Sequence, residues 1–177
     1  QGRVGGRILT LRSFAPGLYA EAGAMRIPRS HELTLAYCER FGMPMRPFVM
    51  GNARGLVYVG GQRMTAGEAK RDPARLGFAL AGAEAGRNAD ELWESAIAEL
   101  RAMVTVDARA GWAEIERRFD GYSLHDFLRA CGWSDAAIEY YAVLNFLEAD
   151  MHNAFTEILR EDLGGAYTDM QTIAGGM

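Results

Sequence analysis

Gly23-Ala24-Met25-Arg26 is the stretch of this 177-residue chain best suited to carry chemistry. A glycine followed by an alanine lets a backbone approach a flat ring system closely and point amide N–H groups at it. The arginine that follows offers a planar fork of donors, the geometry that holds a carboxylate by two parallel hydrogen bonds. An amino acid presents such a carboxylate. Upstream, Gly5-Gly6-Arg7 combines close backbone approach with a fixed positive charge, which is what a pyrophosphate asks for. On residue types alone the plainer readings carry more weight: a surface loop with an ordinary arginine before the turn residue Pro28, and a simple glycine turn.

The other reactive side chains do not converge. His31, His125 and His152 lack metal-ligand spacing and suit helix surfaces or capping regions. Glu148 and Asp150 are two apart, so on a helix they point to different faces. Cys38 and Cys131 make no disulfide framework in a domain of this size and read as two small buried hydrophobes.

Composition sets the frame around these residues. A balance of 49% hydrophobic and 24% charged residues is ordinary for a globular domain with a substantial core. The net charge is −4, and the eighteen arginines and single lysine, Lys70, are scattered along the chain. No nucleic-acid or anionic-membrane partner is therefore expected. No apolar run approaches the roughly 20 residues a bilayer demands, and no signal pattern leads the chain, so a soluble protein is expected, with cytoplasm and secretion both open.

The elements that must position the candidate residues follow from spacing. Residues 1–29 hold two glycine-rich turns with extended stretches over 7–12 and 18–21. Ser30 offers a hydroxyl N-cap to a helix of about three turns with Leu33, Ala36 and Tyr37 as its apolar residues, closed by Gly42. Pro44 and Pro47 stop it, and residues 46–50 can extend. Gly60-Gly61 between Leu56-Val57-Tyr58-Val59 and Gln62-Arg63-Met64-Thr65 predicts a two-residue hairpin, because paired glycines reach the positive φ of a primed turn. Residues 68–88 read as loops with one short helix.

After Asn88 the chain turns helical. Leu92, Ala96, Ile97, Leu100 and Met103 form one stripe, with Asp90 at the helix start. Trp112, Ile115 and Phe119 suggest a second helix. Ser123-Leu124-His125-Asp126 resembles a capping box opening a third, which Gly132 ends. Ser134 caps a fourth that carries Ala137, Ile138, Tyr141, Leu144 and Leu147. A last helix over 152–163 carries Phe155, Ile158, Leu159 and Leu163 and ends at Gly164-Gly165. The expected fold class is α+β and mostly α, a helical domain with a small antiparallel hairpin and no βαβ unit.

Taken together, Gly5-Gly6-Arg7 and Glu21-Ala22-Gly23-Ala24-Met25-Arg26-Ile27-Pro28, about sixteen residues apart, resemble the flavin-contacting segments of L-amino-acid oxidases. Phe41-Gly42, Asp72-Pro73, Tyr122-Ser123 and Gly175-Gly176-Met177 also fall where similar residues occur in that family, so the likeness covers essentially the whole chain. It implies that Gly23, Ala24, Met25 and Arg26 line the isoalloxazine ring and that Arg26 clamps the substrate carboxylate. It also implies that Gly5, Gly6 and Arg7 lie near the phosphates of FAD. Some members carry a histidine near the end of the last helix, with a base or gating role. Here Glu161 takes that position, as a candidate substrate-binding residue and the one candidate for a catalytic role.

The resemblance implies an FAD-dependent oxidase that turns an amino acid into a 2-oxo acid, ammonia and hydrogen peroxide. Its domains are then a flavin-contacting loop-and-strand segment over 1–29, part of an incomplete FAD-binding domain, and a mainly helical substrate-binding domain over 30–177. The family's G-x-G-x-x-G unit would precede Gln1. The chain is thus expected to need further flavin-domain segments, on the same or another polypeptide, to lose FAD when alone, and to form an oligomer. Two alternatives stand beside this reading. One is part of an aromatic amino-acid 2-monooxygenase, and the other is a non-catalytic helical binding domain left by truncation.

Overall fold

The computed structural model describes residues 2–164 and 169–176. Gly165 of the expected helix end and Met177 of the Gly-Gly-Met lie outside the described residues. The elements run β1 (Thr10–Leu11), β2 (Ala20–Glu21), β3 (Ile27–Pro28), α1 (Glu32–Arg40), β4 (Met45–Pro47), β5 (Leu56–Val59), β6 (Gln62–Thr65) and α2 (Ala66–Arg71). Five helices follow, α3 (Ala89–Val106), α4 (Ala108–Phe119), α5 (Leu124–Ala130), α6 (Asp135–Asn145) and α7 (Phe155–Leu163), and then β7 (Met170–Ile173). The class is α+β and mostly α. Two compact units divide the chain, one from Gln1–Met50 with Gly165–Met177 and the other Gly51–Gly164. The boundary expected at 29/30 falls inside the first of these.

In the first unit β1 and β2 pair antiparallel, with Thr10 opposite Glu21. β7 lies between β3 and β4, antiparallel to both, with Ile27 opposite Gln171 and Met45 opposite Ile173. The sequence showed no sign of this central strand. Ile27, Cys38 and Ile173 are buried together, with Leu35 and Met45 packed against them.

α1 corrects two expectations. Its cap residue is His31, without a side-chain cap bond, and Ser30 sits inside a turn closed by His31 N–H donating to the Pro28 carbonyl at 3.0 Å. Ser30 is therefore too early to cap. Leu33, Ala36 and Tyr37 are exposed, because the helix is held down through Cys38 and Leu35 instead. The expected stop is present, with Gly42 at φ 63.

The second unit follows its local signals closely. The hairpin β5–β6 pairs in the expected register, with Gly60 and Gly61 at φ 56 and 80. α3 begins at a capping box that the sequence reading did not identify, Asn88 with Glu91, in addition to the negative charge of Asp90. Ser123 and Asp126 cap α5 reciprocally, and Ser134 caps α6, as their spacing predicts. α7 starts at Phe155, later than 152. Its approach is held by α5, since Leu124 and His125 N–H donate to the carbonyls of Asn153 and Met151. The core holds Trp93, Ile97, Leu128, Tyr140 and Phe155, with the Phe127 and Phe155 rings stacked at 3.7 Å. Both cysteines are free, and Cys131 is exposed at the C-cap of α5 rather than buried.

Candidate functional site

Gly5-Gly6-Arg7 and Gly23-Ala24-Met25-Arg26 meet in the first unit because the β1–β2 pairing continues beyond the strands. Ala22 N–H donates to the Leu9 carbonyl at 2.8 Å, and Ala24 N–H to the Arg7 carbonyl at 3.2 Å. At Gly23 a Cβ would stand 1.9 Å from the Arg7 carbonyl oxygen, so only glycine fits there. Its freedom thus serves the contact between the two motifs within the chain, a role the sequence reading did not assign. Gly5 and Gly6 have φ 97 and 50 and form a turn closed by Ile8 N–H to the Gly5 carbonyl at 2.8 Å.

Arg3 braces that turn. Its guanidinium donates to the carbonyls of Gly6, Ile8 and Val4 at 2.6, 2.9 and 3.2 Å. Sequence spacing carries no signal for this role. Arg7 itself is exposed beside the Gly23 segment.

A third segment arrives from the far end of the chain. A Cβ on Gly176 would stand 2.5 Å from Thr10 Cγ2 and 2.9 Å from Glu21 Oε1, so this glycine, at φ 103, rests against the cross-strand pair. The Thr10 hydroxyl lies 3.0 and 2.9 Å from the two Glu21 oxygens. The resemblance pointed to Gly175-Gly176 and to the stretch that Glu21 opens, but Thr10 and the contact of all three became visible only in three dimensions.

Arg26 stands one residue before β3, whose Ile27 is buried and strand-paired, so its backbone is fixed while its side chain is exposed. One terminal nitrogen lies 3.7 Å from the Met50 sulfur. Met25 and Ala24 are exposed beside it. Elsewhere in the unit, Arg46 donates to the Tyr19 hydroxyl at 3.0 Å, and Arg12 lies over the Tyr19 ring at 5.8 Å. The charge of the chain is divided unequally. The first unit has seven arginines against four acidic residues, and the second has twelve lysine and arginine residues against nineteen acidic ones. An anionic ligand is favoured by the first unit and opposed by the second.

Glu161 belongs to the second unit, exposed on the last turn of α7. Its neighbours in sequence are both engaged. Asp162 accepts from Arg101 of α3 at 3.2 Å, while Arg160 pairs with Glu116 of α4 and lies over the Trp112 ring at 5.1 Å. A groove of about 510 Å³ between α3 and α4, lined by Met103, Val106 and Gly111, contains none of the candidate residues. His125 and His152 come together with ring centres 6.3 Å apart, a pairing not evident from their spacing. Among the described residues no three His, Cys, Asp or Glu side chains gather as a metal site would need, and no helix is long and apolar enough to cross a membrane.

The family model described as "Flavin containing amine oxidoreductase" matches residues 1–177. A Bacillus subtilis (strain 168) protein provisionally named L-amino-acid oxidase YobN is 33% identical over 99% of this chain and 37% of its own length. The L-amino-acid oxidase of Echis ocellatus is 31% identical over 98% of this chain and 34% of its own, and that of Daboia russelii 30% over 99% and 34%. The chain spans about a third of the length of these relatives.

Proposed function

The chain belongs to the flavin containing amine oxidoreductase family, and from that premise we propose that it is part of an FAD-dependent L-amino-acid oxidase. The observation that carries the reading is the junction of Gly5–Arg7 with Gly23–Arg26 through the Ala24–Arg7 hydrogen bond and the Cβ-free approach at Gly23. The residues present fit the cofactor. A braced glycine turn carrying an exposed arginine, in a unit with an excess of positive charge, suits a pyrophosphate, and small residues beside Arg26 suit a flat ring.

Gly5, Gly6 and Arg7 would hold the phosphates, and Gly23, Ala24 and Met25 would face the ring. Arg26 would take the substrate carboxylate in its fork and so fix the α-carbon in register with that ring. FAD, when bound, supplies the hydride acceptor. Glu161 would select among side chains rather than abstract a proton, since an amine that has lost its proton before binding needs no strong base. The overall change converts an amino acid, oxygen and water into a 2-oxo acid, ammonia and hydrogen peroxide.

The test is made on the complete polypeptide that contains this chain, wild type and Gly23→Ala. The expected result is a flavin absorption spectrum and peroxide release with L-amino acids in the wild type, with flavin lost in Gly23→Ala. A wild type without flavin, or with no action on any amino acid, would overturn the proposal. An amide product in place of the 2-oxo acid would move it to a monooxygenase.

A further inference from the structure

We infer that Met50 is a modification site, whose oxidation by the hydrogen peroxide of the proposed reaction loosens the hold of Arg26 on the substrate carboxylate. This rests on the reading of Arg26 given above. Arg26 Nη1 lies 3.7 Å from Met50 Sδ, and both residues belong to the first unit. Strand pairing brings their backbones together. Arg26 precedes β3, whose Ile27 is opposite Gln171, and Pro47 of β4 is opposite the same Gln171. Just beyond β4, Phe48 N–H donates to the Met170 carbonyl at 2.8 Å. A further contact joins the same two stretches of chain, Arg46 donating to the Tyr19 hydroxyl at 3.0 Å.

A thioether sulfur is a weak acceptor, so as it stands Met50 restrains the guanidinium little. Oxidation changes that. The sulfur lone pair attacks a peroxide oxygen, and the S–O bond forms as the O–O bond breaks. Sulfur is oxidised by two electrons, the peroxide is reduced, and the departing hydroxide takes up the proton and leaves as water. The added oxygen projects from a sulfur that is 3.7 Å from Nη1, and so reaches the ordinary hydrogen-bond distance of about 2.9 Å. It competes for donors that a bidentate hold on a carboxylate needs.

Access and proximity both favour Met50. It is 43% exposed, whereas Met64, Met151 and Met170 are buried. Arg26 follows the residues proposed to face the ring, so the peroxide released on reoxidation of the flavin meets Met50 near its source. Met25 and Met43 are exposed as well and provide the internal comparison.

The experiment uses the complete, flavin-loaded polypeptide, wild type and Met50→Leu, each measured before and after exposure to hydrogen peroxide. The substitution removes the thioether and keeps an apolar side chain of similar size. Peptide mass spectrometry of the treated wild type is expected to find one added oxygen at Met50, with the flavin spectrum unchanged. KM for leucine is expected to rise about tenfold, the scale of one pocket contact, with kcat little altered and KM for the decarboxylated amine the same as before. Methionine sulfoxide reductase should restore the leucine KM, and treated Met50→Leu should match its untreated form.

The inference is overturned if Met50 stays unoxidised, or if it is oxidised with no change in the leucine KM. It is equally overturned if KM rises as much for the amine, or if treated Met50→Leu shows the same rise, which would point to Met25 or Met43. Arg26→Met separates this outcome from failure of the reading beneath it. If that variant spares the amine while oxidation of Met50 does nothing, the clamp stands and this inference alone falls; if it loses as much on the amine, both fall.

Discussion

The two units differ in what holds them. The second encloses its own core, with Ile97, Ile115, Leu124 and Phe155 fully buried and aromatic rings stacked and edge-on around Phe119 and Phe127. The first buries a small cluster around Ile27, Cys38 and Ile173, and leaves Leu33, Tyr37 and Phe41 exposed along one side of α1. Its order comes from backbone instead: strand pairs of two to four residues, an arginine-braced turn and glycines that admit close approach. Hydrophobic burial dominates folding energetics, so the second unit is built for stability. In the first, which carries the proposed cofactor contacts, order resides in close backbone geometry, and a defect there should affect binding before it affects folding.

The largest expected effect is in the second unit. Phe155→Ala removes a fully buried ring stacked at 3.7 Å on Phe127, and should destabilise the protein by about 4 kcal/mol, read as a fall in thermal or denaturant midpoint. A comparable loss from Cys38→Ala in the first unit would break the contrast between the two.

Next is Arg26→Met, which should cost on the order of 3 kcal/mol in kcat/KM for an amino acid in the flavin-loaded enzyme, with melting little changed. Arg26→Lys keeps the charge without the fork and should fall between. The decarboxylated amine should be much less affected. An equal loss for amine and amino acid would show that Arg26 supports the flavin or the fold.

A smaller effect sharpens the electrostatic side of the contrast. Glu68 accepts bonds from the backbone and side chain of Thr65, and Asp126 from the side chain and backbone of Ser123, and both carboxyls are held below their usual range. Each therefore adds stability that is present above the ordinary carboxylate pKa and is lost as pH falls through the lowered one. Ser123→Ala should cost about 1 kcal/mol at neutral pH. In acid the gap between wild type and variant should narrow, as equilibrium unfolding at a series of pH values would show. A gap constant with pH would mean that Asp126 makes no contribution through its charge.

Legibility from sequence also divides between the units. In the second, the Gly60-Gly61 turn, the Ser123–Asp126 box and the Ser134 cap were readable, because each is a contact between residues at most three apart whose chemistry is specific to its geometry. The Asn88–Glu91 box follows the same rule and could have been found by it. In the first unit, the α1 residues chosen for their spacing proved exposed, since a short helix shows a stripe without showing what lies opposite. The candidate site was legible as motifs, but not as an arrangement. Nothing in their spacing indicated that Gly23 serves the close approach to the Arg7 carbonyl, or that Arg3 braces the Gly5 turn.

By itself, the sequence determined the fold class, the helical character of residues beyond 88, the hairpin and the family, through local periodicity, caps and turn residues and through motif identity. Tertiary structure alone decided that β7 enters between β3 and β4, that Gly176 rests on Thr10 and Glu21, and that α7 is tied to α3 and α4 on either side of Glu161. Those contacts join residues 44 to 166 positions apart, through strands too short to carry a period and glycines whose role is to leave space. Their energy comes from the approach of two distant backbones or charges, and no local window of sequence contains both partners.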